Sequence, residues 1–219
     1  MYPERIEALL VEETYEALEQ VDDICYQYST FCTHMLPQSP TTKNELITEY
    51  PNHKLSIECV KGLPYGGIAR IIILYVNSMA VKYRTQEVEI GNSIKEFVEK
   101  LGYKPNYQEG GINDQVLQML EKLFHTTFVL TKIDRTITGD GEVIVEQKDL
   151  RFHLFDTKVT LDQIRNNLKT NSIARVTLSD GYFKEILTHP VPLSFEAIKS
   201  MKKSPLALDL YAFIAYRAN

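Results

Sequence analysis

The sequence predicts an α+β fold in which a β-hairpin follows a series of helices. Apolar residues recur at steps of three, four and seven in several segments, which is the spacing of one helix face. Polar and apolar residues alternate in other segments, as they do in half-buried strands. A Gly-Asp-Gly turn at 139–141 joins two β-rich runs. The chain is 44% hydrophobic, which is enough for a core and too much for a disordered chain.

Charge is unevenly distributed along the chain. Residues 1–60 carry 11 acidic and 3 basic side chains, a balance of −8, whereas residues 61–219 carry 18 acidic and 21 basic side chains, a balance of +3. A mildly basic body is compatible with a nucleic-acid binder, although a charge of +3 is weak support by itself.

The composition also predicts the cellular compartment. The sequence has no run of 18 apolar residues, so we expect no membrane span. Its acidic beginning lacks the basic-then-apolar order of a signal peptide. Three cysteines are an odd number for a disulfide framework and fit a reducing environment. These features predict a cytoplasmic protein.

The first 60 residues are predicted to form an N-terminal extension made of a helix and a strand. Apolar residues at helical spacing predict a helix over 4–35, and this face includes Cys25, Tyr28 and Cys32. Alternation over 53–60 predicts a strand.

The segment 67–84 is predicted to be a core helix because it is apolar almost all round. Arg70, Asn77 and Arg84 are spaced by seven and form its narrow polar stripe. We expect Arg70 to pair with a buried acid or a carbonyl group.

The helix predicted over 112–124 has two distinct faces. Its apolar face consists of Ile112, Val116, Met119, Leu120, Leu123 and Phe124. Its polar face consists of Asp114, Gln115, Gln118, Glu121 and Lys122, with Asn113 at its start. Such a helix packs by one side and presents the other to solvent or to a ligand.

The remaining elements follow from alternation and from capping residues. The predicted elements are a strand over 86–90, a helix over 93–101 capped by Asn92 or Ser93 and ended by Gly102, β-rich runs at 128–135, 142–147 and 150–156, a short helix within 160–172, a strand over 174–179, and helices that begin after Ser194 and Ser204.

Within 61–219 the predicted order is helix, strand, helix, helix, β-hairpin. This is the order of elements in a winged-helix domain, whose third helix enters the DNA major groove and whose hairpin, the wing, contacts the backbone. The predicted fold is therefore an α+β winged-helix domain with an N-terminal helical extension and a β-hairpin wing.

Other chemistries find little support in the sequence. The glycine-rich stretch KGLPYGG has its lysine before the glycines and no Lys-Ser/Thr after them, so it is not a phosphate loop. The cysteines and histidines lack the spacing of a metal site. The three later histidines lie in no hydrolase motif. We expect no cofactor, no metal and no enzymatic activity.

Three blocks of sequence resemble the plasmid-encoded replication initiator family of the RepA type. They are GLPYGGIARIIILYVNSMAV, EVEIGNSIKEFVEKLG and LSDGYFKEILTHPVPLSFEAIKSMKKSPLALDLYAFIAYR. The pattern LPYG-x-x-x-R is carried by Leu63, Pro64, Tyr65, Gly66 and Arg70, and the blocks HPVPL and KSPLALDLY lie at 189–193 and 203–211. With ICYQYSTFCTHMLPQSP, the resemblance extends from about residue 10 to the end.

The resemblance implies a function and a domain organisation. Initiators of this family bind repeated DNA at the plasmid origin with two winged-helix domains and exist as monomers and dimers. It implies that 61–219 is the first winged-helix domain, ending in a linker helix, and that a second lies outside this chain, which would then be an N-terminal fragment. Alternatively, the apolar last helix docks in its own core or on a partner subunit.

The family also implies which residues contact DNA. The predicted contacts are Arg84, Lys104, Asn113, Gln115, Gln118, Lys122, Lys132, Arg135, Lys202, Lys203 and Ser204. This sequence departs from the family at 112–124, which is usually rich in arginine and here carries one cation against two carboxylates. The expected partners are double-stranded DNA with origin repeats, a second copy of the chain and host replication proteins.

Two other functions stay open at this stage. In the first, the chain is a protein-interaction or dimerisation module that does not itself bind DNA. In the second, it is a small hydrolase whose site is assembled without local motifs.

Overall fold

The structure, a computed structural model, describes residues 23–137, 143–156 and 161–218. Its helices are α1 (Ser29–Thr33), α2 (Gly66–Tyr83), α3 (Ile94–Lys100), α4 (Ile112–Phe124), α5 (Leu161–Lys169), α6 (Asp180–Thr188), α7 (Phe195–Met201) and α8 (Pro205–Ala218). Its strands are β1 (Ile24–Tyr28), β2 (Glu45–Tyr50), β3 (His53–Cys59), β4 (Glu87–Gly91), β5 (Thr126–Ile137), β6 (Val143–His153), β7 (Ala174–Thr177) and β8 (Pro190–Ser194). The α+β class is confirmed.

The strands of the described residues form three antiparallel sheets, two of which contact α2 through β1 and β4. The largest has the strand order β2-β3-β5-β6, and its long β5–β6 hairpin is the predicted one. The other two are the pairs β1–β8 and β4–β7. The third predicted β-rich run, 150–156, is largely the continuation of β6.

Helix α2 is the core helix that its apolar sequence predicts. It packs against β1, α4, α6 and α8. Two members of its polar stripe, Arg70 and Asn77, are buried as well. Asn77 donates to Gln27 Oε1 at 2.9 Å and accepts from the Tyr182 hydroxyl at 2.8 Å. Buried amides persist when both their donor and acceptor atoms are satisfied, as they are here.

A ring of aromatic side chains joins five elements beside α2. Tyr28 and Phe31 have ring centroids 5.6 Å apart, and Phe31 lies 5.2 Å from Phe128. The rings of Phe128 and Phe152 stack at 5.3 Å, and Phe152 stacks on Tyr182 at 5.5 Å. Edge and offset contacts of this kind add to the stabilisation from buried area.

The prediction of a helix over 4–35 is wrong for residues 24–28. These residues form β1 and pair with β8 from Ile24↔Ser194 to Tyr28↔Pro190. Four of the five β1 residues are buried, so both sides of the strand are covered and no amphipathic alternation marks it. Residues 29–33 are helical, and the part of the prediction that falls on 1–22 lies outside the described residues.

The strand predicted at 53–60 is part of the main sheet. It is β3, which pairs with β5 from His53↔Lys132 to Cys59↔Thr126. The described residues of the predicted N-terminal extension therefore share a core with residues 61–219. The predicted division into domains stays a prediction.

The local capping predictions are confirmed. Ser93 accepts a hydrogen bond from Glu96 N at the start of α3, and Ser194 accepts one from Ala197 N at the start of α7. Ser204 Oγ accepts from Ala207 N where α8 begins. A serine at this position satisfies a free N–H group of the first helical turn.

Arg70 forms a buried ion pair with Asp209 that fastens α8 to α2. Arg70 is only 4% exposed and Asp209 only 6%. Nε and Nη2 of Arg70 donate to the two carboxylate oxygens, each at 2.6 Å. Nη2 also donates to Leu36 O, and Nη1 donates to Gly66 O and Pro37 O. All five N–H groups of the guanidinium are thus satisfied.

Gly67 permits the close approach of the chain segment before α8. A Cβ atom at this position would overlap the carbonyl oxygen of Lys202. Gly67 of the motif LPYGG therefore allows the two stretches of backbone to pack closely.

We predict that Asp209→Ala lowers the free energy of unfolding by about 3–5 kcal/mol, because it leaves the buried guanidinium of Arg70 without its counter-charge. Urea denaturation measures the change. The control is Glu49→Gln in the exposed pair Lys54–Glu49, whose Nζ–Oε1 distance is 3.4 Å and whose loss costs at most about 1 kcal/mol. Equal losses in both variants would contradict the assignment.

His34 is a buried histidine held in its neutral form. It is 1% exposed, its Nε2 has no hydrogen-bond partner, and its ring lies 4.7 Å from that of His53. Burial, followed by the neighbouring His53, lowers the pKa of His34 from 6.5 to about 4. Charging this group inside the protein is therefore unfavourable.

We predict that His34 makes stability fall as the pH drops from about 6.5 to 4. In this window the unfolded chain binds a proton that the native His34 does not, so each pH unit removes up to about 1.4 kcal/mol. The measurement is urea denaturation across this pH range. His34→Gln should flatten the slope, whereas His125→Gln, at an exposed site, should not. An unchanged slope in His34→Gln would refute the prediction.

Candidate nucleic-acid interface

Helix α4 presents a narrow polar strip to solvent. Its buried side consists of Val116, Met119, Leu120 and Leu123, as the two-faced pattern predicts. Asp114, Gln115 and Gln118 are exposed, and Glu121 and Lys122 are half-buried. Each strip residue follows another by one, three or four positions, so together they line one side of the helix.

The loop before α4 is held tightly against the start of the helix. Gly110 N donates to Asp114 Oδ2 at 2.8 Å, and Gln115 Nε2 donates to Gly110 O at 2.9 Å. A Cβ on Gly111 would stand 2.7 Å from Gln108 O, so only glycine fits there. The first turn of α4 is therefore rigidly placed.

Asn113 does not belong to the outward strip, and this part of the prediction is wrong. The residue is 5% exposed, and its Oδ1 accepts from Asn106 N at 3.2 Å. Its Nδ2 is buried without a hydrogen-bond partner. The 103–111 loop folds over this position, which a helical wheel for α4 cannot show.

The negative charge of Glu121 is balanced by two cations from other elements. Arg165 Nη2 on α5 lies 2.9 Å from Glu121 Oε2, and Lys61 Nζ lies 3.9 Å from Oε1. The strip therefore carries less net negative charge than the sequence of α4 suggests. These pairs are partly exposed, so their energies are small, but their effect on the local potential remains.

Lys122 points along the protein surface. Its Nζ donates to Leu63 O at 3.3 Å and lies 4.9 Å from the centroid of the Tyr65 ring. A cation held by a carbonyl and an aromatic face is less available to a ligand than a free one. Among the residues of α4 that were predicted to contact DNA, Gln115 and Gln118 are exposed. Gln115 is hydrogen-bonded to the preceding loop through Gly110 O.

Two predicted contacts lie on the hairpin. Lys132 and Arg135 are both exposed on β5. Lys132 stands opposite Lys148 of β6 in the strand register. Arg135 Nη1 donates to Pro51 O at 2.6 Å, in the turn between β2 and β3. The hairpin thus carries cations on a surface open to solvent.

The other predicted contacts are distributed over several elements. Arg84 is exposed at the end of α2, where its φ of 49° closes the helix. Lys104 is exposed on the loop before α4. Lys202 is half-buried: it donates to Gly102 O and lies 5.0 Å from the Tyr103 ring. Lys203 is exposed, as is Ser204, which caps α8.

Arg165 and Lys169 were absent from the sequence-based predictions. Together with Asp114, Gln118 and Glu121 they line a hollow of about 440 Å³ between α4 and α5. Arg165 and Lys169 are four positions apart in a predicted helix, and this spacing could have indicated that they share one face. The sequence did not show that this helix lies beside α4.

Two other features bear on function. Among the described residues, no three His, Cys, Asp or Glu side chains are grouped so that they could hold a metal ion. In the same part of the chain, every helix is too short or too polar to cross a membrane.

Comparison with solved structures shows a shared architecture with domains 2 and 3 of RctB. One crystal structure, of a selenomethionine derivative of these domains, has a TM-score of 0.54 and 12% identity, covering 88% of this chain and 71% of that one. A second, of RctB domains 2–3, has a TM-score of 0.52 and 11% identity, covering 86% and 69%. At this identity the likeness concerns the fold.

Comparison at the level of sequence gives the family. No curated protein matches the chain. The plasmid-encoded RepA protein family matches residues 63–219, which include α2, α4, the hairpin and both partners of the Arg70–Asp209 pair. The chain therefore belongs to the plasmid-encoded RepA protein family, the family of replication initiators that its sequence resembles.

Proposed function

We propose that this chain binds repeated DNA at a plasmid origin through a winged helix and forms a dimer through the same domain. The observation that carries the proposal is the order α2, β4, α3, α4 and the β5–β6 hairpin within the family match. In a winged helix this order makes α4 the recognition helix and the hairpin the wing. The proposed activity is binding without catalysis, in the cytoplasm where the plasmid is replicated.

The open strip of α4 supports a role in base contact. Glutamine can form two hydrogen bonds with adenine in the major groove. Gln118 is exposed in the middle of the strip, and Gln115 lies one turn before it. Balanced by Arg165 and Lys61, Glu121 repels phosphate less than an unpaired carboxylate would.

Phosphate contacts are assigned to the exposed cations on other elements. Lys132 and Arg135 on the hairpin and Lys104 before α4 have their side chains at the surface. Each phosphate that such a side chain neutralises releases counterions and makes binding more sensitive to salt. Lys202 fits this role less well because it is engaged with Gly102 and Tyr103.

The alternative is a protein-interaction or dimerisation module without direct DNA binding. Helix α8 supports it, because large apolar side chains remain exposed along its outer side: Leu206 54%, Leu210 47%, Phe213 37% and Ile214 63%. Apolar surface of this kind marks contacts between proteins. A second subunit or a host replication protein is the corresponding partner.

The two functions are separated by titrating labelled origin-repeat DNA with the chain over a series of salt concentrations, with sedimentation to determine its oligomeric state. Direct binding gives an affinity whose logarithm falls with the logarithm of salt, by about 0.9 per phosphate contacted. A stable dimer with no binding at low salt would support the alternative.

We predict that Lys132→Gln reduces this salt slope by about 0.9, because one phosphate contact is lost, and weakens binding to origin and scrambled DNA alike. Anisotropy of the labelled DNA measures both. Lys184→Gln, an exposed lysine on α6 outside the predicted interface, is the matched control. The wing assignment fails if Lys132→Gln and the control have the same slope as the unchanged chain.

We predict that Gln118→Ala changes sequence preference and leaves the salt slope as it was. Losing a base contact costs about 1–3 kcal/mol of discrimination between origin and scrambled DNA. The measurement compares the two affinities at one salt concentration. A uniform loss on both DNAs, like that expected for Lys132→Gln, would contradict base contact by α4.

A further inference from the structure

Helix α5 forms the second wall of the hollow beside the polar strip of α4. Gln118 and Glu121 line this hollow from α4, and Arg165 and Lys169 line it from α5. None of the residues that the sequence predicted to contact DNA lies on α5. Gln118, the residue proposed to contact a base, therefore borders the same space as two side chains that still lack a function.

Arg165 is held at this wall by Glu121. Its Nη2 donates to Glu121 Oε2 at 2.9 Å, and the two side chains remain 35% and 27% exposed. A guanidinium carries five N–H groups in one planar fork. Hydrogen bonds within the described residues use one of them. One edge of the guanidinium is thus fixed, and its other N–H groups, as far as the described residues go, remain for a ligand.

The charges around the hollow favour a neutral ligand over a phosphate. The lining contains two carboxylates, Asp114 and Glu121, and two cations, Arg165 and Lys169, so its formal charges cancel. A phosphate drawn to Arg165 would come close to the Glu121 carboxylate and be repelled by it. The edge of a base carries hydrogen-bond acceptors without a net charge, so it meets no such repulsion.

Guanine is the base whose major-groove edge fits an arginine, because its N7 and O6 both accept hydrogen bonds from the fork. We propose that Arg165, positioned by Glu121, contacts a guanine near the base that Gln118 contacts. The inference rests on the proposed DNA binding and deepens it, since α4 and α5 then read the origin repeat together. Lys169 has no part in this base contact.

The test uses the labelled origin-repeat duplex with 7-deazaguanine in place of one guanine at a time. This base lacks the N7 acceptor and keeps its pairing and charge. For the unchanged chain we expect one position at which the replacement weakens binding about fivefold, because part of a bidentate contact is lost. Arg165→Met, which keeps the length of the side chain and removes its donors, should abolish that effect.

Lys169→Met is the matched control, because it makes the same change of charge one turn further along α5. It should leave the effect of 7-deazaguanine in place. Arg165→Met should bind the normal and the replaced duplex equally. If it keeps the difference between them and instead lowers the salt slope by about 0.9, Arg165 contacts a phosphate and the inference is overturned.

Glu121→Ala tests the positioning role independently. Loss of a carboxylate at the interface should tighten binding to scrambled DNA, whereas loss of the hold on Arg165 should reduce the effect of 7-deazaguanine. A pair that only joins α4 to α5 would not move these two quantities in opposite directions. The pair is partly exposed, so both variants should keep the fold, which circular dichroism checks.

Failure of this inference differs from failure of the proposed function. If the unchanged chain binds the origin duplex and no single 7-deazaguanine matters, or Arg165→Met keeps the effect, the guanine contact is refuted while DNA binding stands. If the unchanged chain does not bind the duplex even at low salt, both are refuted.

Discussion

The bidentate pair between Arg70 and Asp209 is the contact on which the arrangement of the body depends. A guanidinium whose five N–H groups are all bonded is fixed in position. Here the guanidinium of Arg70 donates to oxygen atoms of α8, of the first turn of α2 and of residues 36–37. Gln38 adds a hydrogen bond to the same carboxylate at 2.6 Å. Three parts of the chain that are distant in sequence thus meet at one almost fully buried ion pair.

Around this pair lies a buried core, and the surfaces of the described residues differ in character. Half of the residues of α2 are buried, and both Nδ2 and Oδ1 of Asn77 have hydrogen-bond partners. Substitutions in the outer elements are therefore made around a closely packed core. The polar strip of α4, the hairpin and the apolar side of α8 differ in chemistry, and each is suited to a different kind of contact.

Predictions succeeded where the determining residues were neighbours in sequence. The bounds of α4 and the serine caps follow from spacing and from the chemistry of one helical turn. That Arg70 would find a buried partner also followed, because a charge on a core helix needs one. The identity of that partner, Asp209, did not follow.

Predictions failed where a distant segment decides the environment. Asn113 looks outward on a helical wheel, but the loop before α4 covers it. Residues 24–28 continue a helical pattern, yet β8 offers them a complete set of strand partners. Arg165 gave no sign that it would neutralise Glu121. Tertiary contacts of this kind override local preference.

The pairing of β1 with β8 has a consequence for the order in which the molecule is assembled. Cys25 and Leu193, whose contact lies within this pair, are 168 positions apart, so β1 cannot pair until residue 193 has been synthesised. Contacts that close such long loops form late and slow the search for the native state. Until then the aromatic side chains of β1 stay uncovered on the nascent chain, at the stage when aggregation competes with folding.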